Sequence, residues 1–555
     1  MTMSPPAFSP NSLYFVPLGG TGEIGMNFNA YRAGGKWLAV DLGLTFADEA
    51  LPGVDLVLPE PDFLADQKSD LVGLVITHGH EDHLGAVPYL WPALECPVYA
   101  TPFAAALLRD KLRDFGLQER VPLHEIPDSG VLQLGPFAVR YIPVTHSIPE
   151  AHSLLIETEA GIVLHTGDWK LDAAPLVGPL TDEGAFRAAG DDGVLAVVGD
   201  STNVLREGWS GSEETVRKRL VALIEGRKGG VAVTQFASNI ARLSSVVHAA
   251  HAAGREVALV GRSLWRYLAA ARAAGLVDEL RVLREEEGAA LHPEQVLYVC
   301  TGCQGESRAA MARIAGDTHP RVSLSSGDTV IFSSKIIPGN EKPIGRMHNR
   351  LAERGIEVID ERVPDIHVSG HPQRDELRAL YSWLRPRIVV PVHGESRHLQ
   401  SHAELAMETG AEAAPVISNG DVLRLAPGAV EVVGEVPTGR LAVDGAQLVP
   451  PAHASIRARR RLMQNGAIFV TIVADHSGGL HEEPAITGRG ILDEEGDEPA
   501  LEAAAQAVAA AFRGLNKRRR LDDDAVEEAV RLAVRRSVTH SHGKRPLIDV
   551  HLLRV

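Results

Sequence analysis

The chain has 555 residues, which is enough for about three domains with a sizeable hydrophobic core. Hydrophobic residues make up 45% of it and charged residues 23%, as in an ordinary globular protein. The formal net charge of −17 argues against a surface that binds polyanions non-specifically, although it leaves nucleic acid open as a substrate.

The three cysteines, Cys96, Cys300 and Cys303, exclude a disulfide framework and favour a reducing, cytoplasmic location. Residues 1–12 lack the basic and apolar segments of a signal peptide, and no apolar stretch is long enough to span a bilayer. We therefore expect a soluble protein without a membrane partner.

The first predicted strand, residues 13–18, is followed by a glycine-rich turn that matches GxGxxG. A dinucleotide site would need a helix directly after this turn. The sequence continues instead as two strands, 27–32 and 37–40, around a Gly-Gly turn, which is typical of a hairpin. We therefore reject a nucleotide-binding role. Asp41 ends the hairpin, where a carboxylate can orient a ligand histidine or cap a turn.

The next apolar run, Leu71 to Ile76, predicts a buried strand that ends in the sequence Thr-His-Gly-His-Glu-Asp-His. Histidine and aspartate are the ligands that borderline divalent metals prefer. We interpret this HxHxDH motif as a metal site. In a short loop at a strand end, His78 and His80 can face one ion, while Asp82 and His83 can face a second.

Later apolar runs end in further candidate ligands. His146, Asp168 and Asp200 each follow a predicted strand, so we expect them at the sheet edge that carries His78. His165 lies within its run rather than after it, and we expect it to pack in the core.

From residue 210 the sequence alternates between predicted helices and strands. Ser210 and Glu213 predict a capping box for a helix that extends to about residue 225. Strands at 231–234, 257–260, 296–300 and 329–333 alternate with helices, which predicts a parallel sheet covered by helices. This part of the chain has the pattern of an inserted domain.

Within this region, residues 235–239 join a strand to a helix. Ser238 or Asn239 then lies near a helix N-terminus, which is suited to bind phosphate; the alternative is an N-cap without a ligand. Cys300 and Cys303 form an isolated CxxC, which we interpret as incidental.

A histidine-bearing turn at 367–371 and a strand at 388–392 that ends in His393 indicate that the chain then returns to the first sheet. The C-terminal region predicts two helices, near 498–513 and 523–538, between strands. The predicted domains are 1–209 and 367–440 (two parts of the first domain), 210–366 (inserted), 441–461 (linker) and 462–555 (C-terminal).

These candidates suffice for two metal ions about 3.5–4 Å apart that share a bridging hydroxide, the arrangement that cleaves phosphodiesters. Water bound to such ions has a pKa of about 7 and is a nucleophile at neutral pH. The assignment is His78, His80 and His146 to one ion, Asp82, His83 and His393 to the other, and Asp168 as the bridge.

The HxHxDH motif, with Asp41, His146 and Asp168 in this order, resembles the metallo-β-lactamase superfamily. A domain inserted after Asp200 resembles the β-CASP nucleases. The segments TGCQGE (301–306), IPGNE (337–341) and HVSGH (367–371) resemble the bacterial ribonuclease J family. The implied fold class is α/β: a metallo-β-lactamase αββα sandwich with an inserted β-CASP parallel α/β domain and a small C-terminal α/β domain.

The resemblance implies a ribonuclease with two zinc or manganese ions. Such an enzyme acts on single-stranded RNA as a 5′-to-3′ exonuclease that prefers 5′-monophosphate ends, and also as an endonuclease, in mRNA decay and rRNA maturation. RNA would pass between the first and inserted domains. The resemblance also implies a homodimer or homotetramer and protein partners in an RNA-degradation complex.

The resemblance also implies roles for individual residues. Asp82 and Asp168 would act in catalysis, His371 would protonate the leaving 3′-oxygen, and Asp200 would support the metal ligands. The implied substrate contacts are Phe236, Ala237, Ser238 and Asn239 for the 5′-phosphate, and His367, Val368, Ser369, Gly370 and His371 for substrate phosphate. A structural calcium is implied as well, with Asp48, Glu49 and Asp444 as candidates.

Three other functions are compatible with parts of this pattern. A thioester or lactam hydrolase shares the HxHxDH motif, but such enzymes are shorter and lack the inserted domain. A DNA-directed or tRNA-processing nuclease of the same fold is closer, since recognition of the 2′-hydroxyl depends on pocket geometry. A non-catalytic RNA-binding scaffold would lack ligands, and none is missing from this sequence.

Overall fold

The structure is a computed structural model that describes residues 6–126, 130–277, 280–492 and 496–555. The chain folds into two compact units. The first comprises the chain up to Thr45 together with Leu58–Gly439, and the second comprises Phe46–Val57 together with Arg440–Val555. Among the described residues, no helix has the length and apolar character needed to cross a membrane.

Two β-sheets form the centre of the first unit. The strands of the first sheet, from edge to edge, are Glu431–Glu435, Asp421–Ala426, Leu13–Gly19, Phe28–Ala33, Lys36–Val40, Leu71–Val75, Val98–Ala100 and Leu123–Glu125. Those of the second are Val131–Leu134, Phe137–Pro143, His152–Thr158, Gly161–His165, Val194–Asp200 and Ile388–Val392. Phe15 and Val75 of the first sheet share one buried core with Val163 of the second, so the sheets lie face to face.

Helices cover the outer faces of this sandwich. On the second sheet, Phe186, Leu380 and Leu405 from three helices pack against Leu164 and Val197. These helices are Glu183–Asp192, Arg374–Leu384 and Ser396–Glu408. The helix Pro102–Asp114 contacts the last two strands of the first sheet, Val98–Ala100 and Leu123–Glu125. The shorter helices of this region are Asp62–Ala65, Lys68–Asp70, Glu81–Leu84 and Val87–Leu94. The predicted four-layer sandwich is confirmed. The strands before His146, Asp168 and His393 were expected in the sheet that contains Leu71–Val75, but they lie in the second sheet, so their ends meet that of Leu71–Val75 across the sandwich.

Between Val194–Asp200 and Ile388–Val392 the chain forms a third sheet, in which the described pairs are parallel. Its strands, from edge to edge, are Leu283–Arg284, Glu256–Val260, Val296–Cys300, Val231–Thr234, Thr329–Phe332 and Glu357–Ile359. The helices of this region are Glu213–Ile224, Ile240–Ala252, Arg262–Ala273, Glu285–Ala289, Pro293–Gln295, Ala310–Ala315 and Glu341–Glu353. Buried side chains on both faces explain the nearly continuous apolar strands, and the predicted inserted α/β domain is confirmed.

The helix Glu213–Ile224 begins differently from the prediction. Its N-cap is Ser212, whose hydroxyl accepts a hydrogen bond from the backbone of Glu214 at 3.2 Å. Ser210 instead donates to Glu376 through its backbone and its hydroxyl, at 2.9 and 2.7 Å. The predicted capping box was wrong because partners distant in sequence bind both Ser210 and Glu213.

Glu213 and Arg242 form a buried ion pair in the inserted domain. The guanidinium donates to the two carboxylate oxygens at 2.8 and 2.9 Å. It also donates to the carbonyl and hydroxyl oxygens of Ser333, at 2.7 and 2.8 Å, and to the carbonyl oxygen of Ile366 at 3.3 Å. These bonds satisfy a charge that burial would otherwise make costly, and they connect three segments of the domain.

The second unit contains a sheet ordered Ala485–Arg489, Ala467–Ala474 and Leu547–Arg554, with helices Glu498–Gly514, Lys517–Arg520 and Asp523–His542. Asp522 caps the last helix by accepting from the backbone of Ala525 at 3.2 Å. Where we expected a linker, residues 441–461, the chain forms a hairpin and most of a helix. These elements are Arg440–Asp444, Gln447–Val449 and Ala454–Asn465. Two short strands, Thr45–Phe46 and Leu56–Pro59, lie where the chain passes between the units.

We predict that Glu213→Ala lowers the free energy of unfolding by about 3–5 kcal/mol, because it leaves the buried guanidinium of Arg242 without its counter-charge. Denaturant unfolding followed by circular dichroism measures this change. The control is Glu214→Ala on the same helix, since Glu214 forms only an exposed ion pair with Lys218. The control should cost less than about 0.5 kcal/mol, and equal losses in both variants would contradict the prediction.

Candidate metal centre

The centre is built on one edge of the sandwich. The strand Val194–Asp200 pairs in parallel with both Gly161–His165 and Ile388–Val392, so their carboxyl ends meet. Asp168, Asp200 and His393 lie at or just after these ends. The structure thus brings together all seven side chains that the sequence predicted as metal ligands.

Asp41 holds the histidine loop against the neighbouring strand. Its carboxylate accepts from the backbone and hydroxyl of Thr77, at 2.8 and 2.9 Å. One of its oxygens lies 2.7 Å from Nδ1 of His83, which turns Nε2 of that ring toward Asp168 at 3.3 Å. Asp41 therefore orients a candidate ligand, one of the two roles considered from the sequence.

His78, His80, His146 and Asp168 form the first group of donors, with one atom of each within 4.8 Å of the others. Nδ1 of His80 lies 3.1 Å from Nε2 of both His78 and His146. The other nitrogen of His146 lies 2.5 Å from the carbonyl oxygen of Gly370. A side chain at Gly370 would place its Cβ 2.7 Å from the His146 ring, so this approach requires glycine.

Asp82, His83, Asp168 and His393 form the second group. Nε2 of His393 lies 3.3 Å from the carboxylate of Asp82, and Nδ1 of His393 lies 2.8 Å from the hydroxyl of Thr202. Asp168 belongs to both groups, and its Oδ1 is buried without a hydrogen-bond partner among the described residues. A buried, unpartnered carboxylate oxygen between imidazoles fits a divalent cation, and nitrogen and oxygen donors suit zinc and manganese.

The electrostatics of the first group favour metal binding. Burial lowers the pKa of His78 and His146 well below the ordinary value, and it lowers the pKa of His80 to about 4. Burial would raise the pKa of Asp168, but His393 and His83 hold it well below its usual range. At neutral pH these three imidazoles are neutral and the carboxylate is ionised, which are the forms that bind metals.

His371 and Asp200 lie beside both groups. Nδ1 of His371 is 2.8 Å from Asp200 and 3.8 Å from Asp168, and its side chain is 23% exposed. Burial lowers the pKa of His371, but the charges of Asp200 and Asp168 and the hydrogen bond to Asp200 together outweigh this effect and raise the pKa overall. Asp168, Asp200, His371 and His393 also form a third group of donors, which the sequence did not predict.

The other residues of the turn at 367–371 have distinct environments. Ser369 accepts hydrogen bonds from the side chain of Asn203 at 2.6 Å and from the backbone of His371 at 3.2 Å. Nδ1 of His367 is buried without a partner among the described residues. Val368 packs in the hydrophobic core of the inserted domain, so its side chain is not available to a substrate.

In the segment 236–239, Phe236, Ala237 and Ser238 are half-buried. Asn239 is buried, and its side-chain oxygen caps its own helix by accepting from the backbone of Arg242 at 2.8 Å. The N-cap considered as an alternative from the sequence is therefore present. Ser238 also contacts the metal centre, with its hydroxyl 3.2 Å from Nε2 of His80.

Other sequence predictions fall outside the centre. His165 is buried with Nδ1 2.9 Å from the hydroxyl of Tyr31, so it packs in the core as expected. Asp444 binds Arg459 through both oxygens at 2.7 Å. Within the described chain, the groups of at least three metal donors do not include Asp48, Glu49 or Asp444. The predicted structural calcium gains no support from this arrangement.

Apart from Asp41, sequence reasoning missed the residues that contact the candidate ligands and their neighbours from behind. Thr77 and Thr202 could have been predicted from the sequence. Thr77 directly precedes His78, and Thr202 follows Asp200 by two positions. No signal in the sequence indicates a series of buried hydrogen-bonded side chains next to Asp200. In it, Nδ1 of His402 lies 2.8 Å from the hydroxyl of Ser201, and the other nitrogen of His402 contacts Tyr381. His402 is one of several polar residues of a helix, and no local pattern marks it.

Four family models match successive parts of the chain. "Metallo-beta-lactamase superfamily" matches residues 29–220, and "Ribonuclease J, beta-CASP domain" matches residues 228–351. "Zn-dependent metallo-hydrolase RNA specificity domain" matches residues 355–415, and "Ribonuclease J C-terminal domain" matches residues 454–555. Together these models follow the order of sandwich, inserted domain, return to the sandwich and C-terminal region.

Similar proteins cover nearly the whole chain. Ribonuclease J of Sinorhizobium meliloti is 44% identical over 550 residues, which are 98% of this chain and 97% of the relative. Ribonuclease J of Mycolicibacterium smegmatis is 37% identical over 98% of both chains, and that of Thermus thermophilus is 35% identical over 96% of this chain and 94% of the relative.

Among solved structures, a protein of unknown function from Enterococcus faecalis matches 74% of this chain and 100% of its own. The TM-score is 0.51 and the sequence identity is 15%, so this likeness concerns the fold alone.

We predict that Asp41→Asn weakens divalent-metal binding about 10–100-fold, because the variant loses the charge that orients His83. Titration of metal-free protein against a chelator of known affinity measures the dissociation constant. Asp70→Asn is the control, since it removes the same charge from an exposed pair with Lys36. Unchanged affinity in Asp41→Asn would show that Asp41 serves the loop structure only.

Proposed function

The chain belongs to the ribonuclease J family of metallo-hydrolases, and we propose that it degrades RNA by both exonucleolytic and endonucleolytic cleavage. As a member of this family it is a ribonuclease that uses divalent metal, in keeping with its cluster of histidines and aspartates. The proposed exonuclease acts in the 5′-to-3′ direction and prefers 5′-monophosphate ends. The observation that carries the proposal is that Asp168 is common to the two donor groups that the sequence assigned to metal ions.

We infer two metal positions from these groups. Zinc or manganese ions there would act as Lewis acids toward water and toward the oxygens of a phosphodiester. The proposed ligands are His78, His80 and His146 for one position, Asp82, His83 and His393 for the other, and Asp168 for both. Asp41, Thr202 and Gly370 contact the remaining nitrogens of three of these rings and so fix their orientation.

His371 is the proposed general acid. Asp200 contacts Nδ1 of its ring, which leaves Nε2 free to hold a proton toward the substrate. The partial exposure of the side chain agrees with a group that meets RNA. In this proposal His371 protonates the leaving 3′-oxygen, and Asp200 keeps the ring oriented throughout the reaction.

The proposed RNA path runs between the sandwich and the inserted domain. Ser238 lies at the N-terminus of the helix Ile240–Ala252, where backbone N–H groups and the helix dipole favour a phosphate. The turn at 367–371 is the second proposed phosphate contact, through its backbone and the rings of His367 and His371. The match to an RNA specificity domain over 355–415 favours RNA over DNA as the substrate.

We further propose roles in mRNA decay and rRNA maturation, as a homodimer or homotetramer and together with proteins of an RNA-degradation complex. The three cysteines are buried and unpaired, which is consistent with a cytoplasmic site of action.

We predict that Asp168→Ala and His80→Ala each reduce RNA cleavage by at least about 10³-fold, or roughly 4 kcal/mol of transition-state stabilisation. RNA binding should change little, because the phosphate contacts remain. Cleavage of labelled RNA and filter binding measure the two effects. Asp191→Ala, at an exposed pair with Arg385, is the control. Turnover retained by either variant would refute the two-metal mechanism.

We predict that RNA with a 5′-monophosphate is degraded at least about tenfold faster than RNA with a 5′-hydroxyl, since a hydrogen bond to a charged group contributes roughly 1.5–3 kcal/mol. RNA with a 5′-triphosphate should also be degraded slowly. Product lengths over time distinguish removal of terminal nucleotides from internal cuts, and circular RNA reports internal cleavage alone. Equal degradation rates for all three 5′ ends would contradict the proposed exonuclease and leave only the proposed endonuclease activity.

A further inference from the structure

The hydroxyl of Ser238 and the ring of His80 form a direct contact between the inserted domain and the metal centre. Ser238 Oγ lies 3.2 Å from Nε2 of His80, although 157 residues separate the two in the chain. Neither the sequence pattern nor the resemblance assigns a role to this contact.

The geometry of His80 determines which of its nitrogens faces the metal position. Nδ1 lies 3.1 Å from Nε2 of His78 and 3.1 Å from Nε2 of His146. Three nitrogens in such a triangle cannot all be paired by hydrogen bonds, but they can share one cation. Nδ1 is therefore the metal-facing nitrogen of His80. A neutral ring with Nδ1 free carries its proton on Nε2, which donates to Ser238.

Ser238 is held in place by a rigid part of the inserted domain. The adjacent residue, Asn239, caps the helix and donates to Glu213 at 3.1 Å. Glu213 in turn binds Arg242, one turn into the same helix. The side chain of Gln235 donates to the carbonyl oxygen of Asn239 at 3.2 Å, and this bond joins the two ends of the segment that contains Ser238. The hydroxyl thus projects from a well-packed loop.

We propose that Ser238 is a positioning residue that holds His80 in its metal-binding orientation, so that the inserted domain completes the metal centre. This inference rests on the proposed function, in which Ser238 also lies at the 5′-phosphate site. The two roles are compatible, because a hydroxyl can accept from His80 and donate its own proton to a phosphate oxygen. The hydroxyl then connects recognition of the RNA end to the ligand that must be ordered for cleavage.

The test uses the full-length protein with Ser238→Ala and Ser238→Thr. Metal affinity is measured by titrating metal-free protein with Zn²⁺ and Mn²⁺ against a chelator. The kcat and KM values are measured separately on 5′-hydroxyl RNA, in which no terminal phosphate is present. Ser244→Ala is the matched control, since Ser244 is a half-buried serine of the same helix whose hydroxyl accepts from Arg217 at 3.1 Å.

The expected result for Ser238→Ala is a loss of metal affinity of at least about tenfold. We also expect a lower kcat on 5′-hydroxyl RNA with an unchanged KM. Ser238→Thr keeps the hydroxyl and should restore both values, and Ser244→Ala should match the unmodified protein. Equal unfolding midpoints for Ser238→Ala and Ser238→Thr would confirm that the difference between them is not a folding defect.

Wild-type metal affinity in Ser238→Ala, with losses confined to 5′-monophosphate RNA, would overturn the inference and leave Ser238 as a phosphate contact only. That outcome does not touch the proposed function, because the unmodified protein would still bind metal and cleave RNA. If the unmodified protein binds no divalent metal or cleaves no RNA, the proposed function fails and the inference fails with it.

Discussion

The buried carboxylate of Asp168 is the constraint on which the rest of the centre depends. Burying an ionised carboxylate away from water costs free energy unless positive charges and hydrogen-bond donors surround it. Here the carboxylate lies near the imidazoles of His83, His146, His371 and His393, and one of its oxygens has no hydrogen-bond partner among the described residues. The sheet meets this requirement because parallel pairing of the strand Val194–Asp200 with both neighbours brings their carboxyl ends together.

The two donor groups differ in how their rings are held. In the second group, Asp41 and Thr202 of the sandwich itself contact His83 and His393. In the first group, Gly370 contacts His146 where the chain returns from the inserted domain, and Ser238 of that domain contacts His80. A movement of the inserted domain would therefore disturb one group more than the other. The buried pair of Glu213 and Arg242 keeps the Ser238 loop in place within its own domain, because it joins that loop to the segment before residue 367.

Local pattern was sufficient to predict the parts of the site that lie at strand ends. An apolar run followed by histidine or aspartate identified His78, His146 and Asp168, since each follows a strand and the ends of these strands meet at one edge of the sandwich. Partners distant in sequence decided the rest. Ser210 and Glu213 have the spacing of a capping box, yet their side chains bind Glu376 and Arg242. Likewise, no pattern separates residues 46–57 from the first unit, although they fold with the C-terminal region.

The charge balance of the centre explains how a chain with a net charge of −17 can handle a polyanion. Burial disfavours the charged forms of three carboxylates and three imidazoles there, but neighbouring groups have the larger combined effect. They lower the pKa of the carboxylates of Asp82, Asp168 and Asp200. They raise the pKa of the imidazoles of His83, His371 and His393, with that of His393 at about 10. The charges of these three carboxylates and three rings thus cancel while the rings keep their protons. Divalent ions must displace protons from ligand rings, so metal binding and proton release are linked. Each exchange of one proton for a divalent ion adds one positive charge where a phosphate would lie. The negative charges of the exposed surface act over a short range, because salt at physiological concentration screens them within about 8 Å. Bound metal would therefore add attraction for the one phosphate at the cleavage position, while the proposed phosphate contacts of the Ser238 loop and the turn at 367–371 hold the rest of the RNA.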